Sequence, residues 1–151
     1  MAKKTNRNGL YFASKKTVCG QSHSTDGMKV VWCFDMIDRA GKFAFDLEQK
    51  DFQHKEFLSK VIDYSSMTWN DIKKQTHDDG KSKHHFLSVD KLSKQAIERI
   101  RLRKLEEFTD SLFSFALQNK WRIVGIRENE YFHVLWHDPY HEICPSKKKH
   151  T

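Results

Sequence analysis

Glycine and proline are scarce in this chain, 6 and 2 among 151 residues. Long irregular stretches are therefore few. Cysteine is almost as rare. Cys19, Cys33 and Cys144 form no CxxC pair, and their odd number fits a reducing cytosol better than a secreted disulfide scaffold. No apolar run reaches the length of a signal-peptide core or a membrane span. A soluble, cytoplasmic protein with no membrane partner is expected. There is no glycine-rich phosphate loop, no nucleophile elbow and no zinc-finger spacing. An ATPase, a serine hydrolase and a zinc finger are disfavoured accordingly. Acidic residues are missing altogether from the first 25 positions.

Aromatic residues are plentiful, at 13% with eleven Phe and four Trp, too many for a disordered chain. A chain of this length can bury a core of its own as one domain. The formal net charge is +7, and it is unevenly placed. Lys3, Lys4, Arg7, Lys15 and Lys16 lie at one end and Lys147, Lys148 and Lys149 at the other. Removing these eight from the 27 basic residues leaves 19 against 20 acidic ones, a near-neutral middle. We read residues 1–25 as a basic flexible arm and 26–151 as a single α+β domain with a basic C-terminal tail. Such ends suit a polyanion.

Hydrophobic periodicity divides the middle. Val30, Trp32, Phe34 and Met36 alternate, Asp38-Arg39-Ala40-Gly41 is turn-like, and Phe43, Phe45 and Leu47 alternate again. An N-terminal β-hairpin is expected over 29–47. From Asp51 the period becomes helical, with Phe52, Phe57, Leu58, Val61 and Ile62 near one face. Thr68 followed by Asp71 has the spacing of a capping box and predicts a short helix. Residues 76–85 read as a polar loop. A longer helix is expected from Ser88 or Asp90 to about Glu107, its stripe Leu92, Ala96, Ile97, Ile100 and Leu105 surrounded by basic residues. Three alternating segments follow at 111–118, 121–127 and 131–137, joined by short polar turns. They predict a three-stranded antiparallel meander, and the order hairpin, helices, meander argues for an α+β fold.

Strand alternation puts Tyr131, His133, Leu135 and His137 on one face and Phe132, Val134 and Trp136 on the other, as a core face. An arginine of the middle strand, Arg122 or Arg127, can then stand beside a histidine of the last. That pairs a fixed cation for phosphate charge with a group titrating near neutrality. HDPYH, His137–His141, has the HxxxH zinc spacing, but Pro139 argues against the helix which that motif needs. A turn could still gather His137, Asp138 and His141, with Cys144 joining them. The alternatives are histidines hydrogen-bonded at a strand end and a metal-free catalytic or RNA-contacting role. Lys81, Lys83, His84 and His85 form a local cationic group that could hold phosphate.

Residues 88–151 resemble the RelE/ParE-like superfamily of bacterial toxins. The likeness rests on WRIVGIRENEYFHVLWH and DPYHEICPSKKKH and on helices preceding a meander. The hairpin and first helix have no counterpart in that pattern. The resemblance implies a metal-independent endoribonuclease without a cofactor, cutting mRNA at the ribosome and held by an antitoxin protein; members of that superfamily also target gyrase, and the fold alone does not choose between the two. It implies that Arg122 is the strand arginine and that His133, His137 or His141 is the acid or base. Tyr131 or Tyr140 would stack on a base, and Lys147, Lys148 and Lys149 would hold backbone phosphates. Two readings of other classes stand beside it: a non-enzymatic nucleic-acid- or protein-binding module, and a metal-dependent nuclease built on the C-terminal histidines.

Overall fold

The computed structural model describes residues 25–145. The basic arm, apart from Thr25, and Lys147, Lys148 and Lys149 lie outside the described residues. Among these residues eight strands and α-helices appear in the order β1 (Val31–Cys33), α1 (His54–Ser65), α2 (Trp69–Lys74), β2 (His85–Phe86), α3 (Lys94–Leu102), β3 (Leu112–Gln118), β4 (Trp121–Glu128) and β5 (Tyr131–Asp138). They form the expected α+β fold, with the C-terminal meander within a residue of its predicted limits. Asn119 (φ 50°) and Asn129 (φ 56°) turn the chain between its strands in the left-handed region that asparagine tolerates.

The N-terminal hairpin is not formed. β1 pairs in parallel with β5, Val31 opposite Tyr131 and Cys33 opposite His133, and residues 43–47 make no second strand. The chain after β1 instead runs on beside β5. Asp38 N–H donates to the Leu135 carbonyl at 2.9 Å and His137 N–H to the Phe43 carbonyl at 3.0 Å. The Asp38 carboxylate holds this loop in place. It accepts two bonds from Arg99, at 2.8 and 2.9 Å, and one from Trp136 Nε1 at 3.0 Å. Local alternation could not reveal a partner so far along the chain.

The sheet order is β1-β5-β4-β3-β2, antiparallel except for β1 against β5. Both faces are covered, where the sequence suggested one core face. α1 and α2 bring Phe57, Tyr64, Trp69 and Ile72 onto Phe113, Phe115, Ile123, Phe132 and Val134. α3 brings Ala96 and Ile100 onto the opposite side, with Leu112, Val124, Ile126 and Trp136. Each large side chain removed from water in this way contributes about 1.5–3 kcal/mol.

Two local departures matter for function. Val124 pairs with Trp136 and Gly125 with Val134, so Leu135 is an extra residue, a bulge in β5. α3 is also shorter than its periodicity suggests. Ser93 caps it, accepting from Ala96 N–H at 3.3 Å, and Lys104 at φ 56° ends it. Val89–Lys91 and Glu106–Ser111 are separate 3-10 turns. Two basic residues turn inward here, Arg99 of α3 to Asp38 and Arg103, just after α3, to the Met36 carbonyl at 2.9 Å.

Candidate nucleic-acid interface

The bulge at Leu135 separates residues that plain alternation would align. His133 lies opposite Ile126, which packs on the α3 side, and His137 lies opposite Ile123, which packs on the α1–α2 side. The two histidines therefore face opposite ways. Arg122 sits opposite Asp138, on the face away from His137. The expected set Arg122, His133 and His137 does not converge on one cleft.

Each buried histidine instead has a structural partner. His137, 1% exposed, accepts from Trp121 Nε1 at 2.7 Å, so its other ring nitrogen carries the proton toward Gln49 Oε1, 3.2 Å away. Burial pushes it down to about 4, and Asp51 opposes this only partly. His84, 2% exposed, accepts the Ala116 N–H at 3.0 Å on one nitrogen and reaches Gln75 Oε1 at 2.7 Å with the other. Burial, then the charges of Lys83 and Arg122, push it down to about 3. Both rings are neutral at pH 7, and neither is free to exchange a proton with a ligand. Arg122 is buried too and donates to the carbonyls of Asn119, at 2.6 Å, and Trp121, at 3.0 Å. It stiffens the β3–β4 turn.

Tyr131 and Arg127 lie at the other end of the sheet. Tyr131 starts β5 and Asp138 ends it, about 20 Å apart at strand rise. Tyr131 is exposed there. Arg127 is buried, bonded to Asp26 at 2.6 Å and stacked 4.0 Å over Trp69, and so serves the core. The metal grouping around HDPYH does not form either. Asp138 instead accepts the N–H groups of Glu142 (2.8 Å) and Ile143 (3.0 Å), shaping the turn that carries His141 at φ 58°. Among the described residues the grouping that brings ligand atoms together is Cys33, Asp35 and His133, all within 4.8 Å of one another.

What does gather is positive charge around the β3–β4 turn. Two grooves flank it and share Gln118 and Asn119. One is lined by Lys60, Tyr64, Gln75, His77 and Lys83, with Asp63 as its one carboxylate. The other is lined by Lys50, Gln53, Lys120, Trp121 and Tyr140. Its one carboxylate, Asp51, is engaged by the Tyr140 hydroxyl at 2.6 Å. His141 joins this neighbourhood. Burial pushes it down first, followed by the charges of Arg122, His85, Lys120 and His77. Of the residues singled out from sequence, the fold therefore collects Arg122, His141, Tyr140, Lys83, His84 and His85 at one end. Lys81 is exposed on the neighbouring loop, where its N–H donates to Asp79.

Lys50, Lys60, His77 and Lys120 escaped the sequence reading. They come from four separate segments, and only one carried a signal. His77 lies in the polar loop already noted for its cations, three positions before Gly80.

The family profile described as Uncharacterised protein UU032 matches residues 41–151, which include every residue of both grooves. No curated protein and no solved structure matches the chain. No helix among the described residues is long and apolar enough to cross a membrane.

Proposed function

The chain belongs to the UU032 family, and we propose that it binds RNA at the two grooves beside the β3–β4 turn. The observation that carries this reading is the convergence of Lys60, His77 and Lys83 on one side and Lys50 and Lys120 on the other. Amide side chains at Gln118 and Asn119, shared by both grooves, lie between them and can bond phosphate or base edges. Tyr140, which is exposed, offers ring surface on the second side. The eight basic residues at the two ends of the sequence add attraction that needs no fixed geometry.

The test is fluorescence anisotropy with single-stranded RNA oligomers over a range of salt. Affinity should fall linearly on a log–log plot, with a slope of about −0.7 per neutralised phosphate. The triple variant Lys60→Ala/Lys83→Ala/Lys120→Ala should weaken binding at least tenfold and flatten that slope by about 2. Unchanged affinity and slope in this variant would remove the grooves from the reading.

Cleavage is a second reading, favoured by the common neighbourhood of Arg122 and His141. On the RelE/ParE resemblance the substrate would be mRNA at the ribosome, and an antitoxin protein would be the covering partner. Mapping new RNA 5′ ends in a translation extract, with and without EDTA, separates the two readings. Cuts that survive EDTA and vanish in His141→Ala support a metal-free ribonuclease. Binding without cuts supports a module that holds RNA and leaves it intact.

A further inference from the structure

The geometry points to a divalent transition-metal site formed by Cys33, Asp35 and His133, at the junction of β1 and β5. It is independent of the RNA reading and uses none of the groove residues.

Cys33 and His133 are register partners in the parallel pairing of β1 with β5. The ladder therefore fixes their backbones side by side. Asp35 follows Cys33 by two residues, in the turn just after β1, and that turn brings its carboxylate back to the pair. The result is one sulfur, one imidazole nitrogen and one carboxylate oxygen within 4.8 Å of one another. His133 Nδ1 and Asp35 Oδ1 are already 3.2 Å apart, and Cys33 Sγ makes one long contact to the Val31 carbonyl at 4.0 Å.

Tetrahedral coordination at ordinary zinc bond lengths needs ligand atoms about 3.3–3.8 Å apart. The observed spread is therefore short of closure by about 1 Å, within reach of χ1 adjustments at Cys33 and Asp35. The histidine is the anchored ligand, with its side chain 5% exposed, while that of Asp35 is 26% exposed and opens the site to solvent. An ion can enter on the Asp35 side, and a water can complete the shell there. Sulfur, nitrogen and oxygen together select zinc, cobalt or ferrous iron over magnesium or calcium, which prefer oxygen alone. Three protein ligands with one position left to solvent is the pattern of a reactive centre, whereas structural zinc is usually closed by four.

The experiment is titration of the full-length reduced chain with Co²⁺ under anaerobic conditions, followed by visible and near-ultraviolet absorption. One equivalent should produce tetrahedral d–d bands and a thiolate-to-cobalt charge-transfer band, and Zn²⁺ should displace both. Cys33→Ser should abolish the charge-transfer band. Asp35→Asn, at an exposed position that the fold tolerates, should weaken Co²⁺ binding at least about tenfold. His133→Gln should do the same, with circular dichroism checking that the strand still folds. Cys19→Ser and Cys144→Ser should change nothing. A charge-transfer band that survives Cys33→Ser, or no band at any stoichiometry, would overturn the site.

Discussion

Acid should begin to destabilise this domain before most of its carboxylates are protonated, and the two neutral histidines set the scale. His84 and His137 stand at about 3 and about 4 in the folded protein, against 6.5 for an ordinary imidazole. A histidine whose folded value is depressed favours the unfolded chain as soon as that chain can take up the proton. The stability each ring contributes is present in full above pH 6.5 and is lost as pH falls toward its folded value. At pH 4.5 the unfolded rings are almost fully charged, and each costs about 2.5–3 kcal/mol, from two pH units at 1.36 kcal/mol each. Together they remove about 5 kcal/mol from a total that for such a domain is about 5–15 kcal/mol. His141, also pushed down, acts in the same direction. Asp138, pushed up by burial, acts in the opposite one, because its folded form takes up a proton first. Asp26 and Asp38 are held below their ordinary value, so their contribution fades only at lower pH. Urea unfolding at half-unit steps from pH 7.5 to 4.5 should give a stability that is level down to about pH 6.5 and then falls with an uptake of roughly two protons. His137→Gln should start lower at pH 7 and fall with a slope smaller by one proton. A level curve down to pH 5, or ring resonances of His84 and His137 titrating near 6.5 by NMR, would refute the neutral, buried assignment.

Asp26→Ala should cost about 3–5 kcal/mol in urea, because it strips the carboxylate from an Arg127 side chain only 1% exposed. Lys73→Met, which touches the same carboxylate from a side chain 33% exposed, should cost under about 1 kcal/mol. Gly125→Ala should be among the most damaging small changes, by about 3 kcal/mol or more. The added methyl group would run into the His133 carbonyl and lie 2.8 Å from Phe132 Cζ, and a loss below about 1 kcal/mol in the urea midpoint would refute that packing. Thr68→Ala should cost about 1 kcal/mol, seen as a lower thermal midpoint, by removing the acceptor for Asp71 N–H at 3.1 Å.

The parts of this fold that could be read from sequence are those whose cause is local. Strict alternation with Asn119 and Asn129 between strands placed the meander, and Thr68 with Asp71 placed the start of α2, where both bonds of the capping box are made. Non-local causes stayed hidden. Alternation at 30–36 identifies a strand and does not say that its partner is β5. Neither Leu135 nor its neighbours differ in type from ordinary strand residues, so the bulge leaves no mark, and it is the bulge that sends His133 and His137 to opposite faces. Lys104 ends α3 with a left-handed backbone that lysine rarely adopts. The candidate interface divides along the same line. Lys83, His85, Tyr140 and His141 stood out by residue type and clustering, while Lys50, Lys60 and Lys120 acquire meaning only when the turn at Asn119 brings their segments together.

The parallel pairing of β1 with β5 also governs how the protein can be made. Val31 meets Tyr131, one hundred positions later in the sequence. During synthesis the first strand emerges long before the ladder it joins, and α1 and α2 emerge before the sheet face they cover. β3 and β4 can form a hairpin as they appear, but β5 must arrive before the early segments have anywhere to dock. Such separations slow folding and leave apolar surface such as Phe57, Trp69 and Phe115 uncovered while the ribosome is still working. A nascent chain paused before Tyr131 would be a ready client for chaperones, and release of the last strand would be the event that lets the whole domain close.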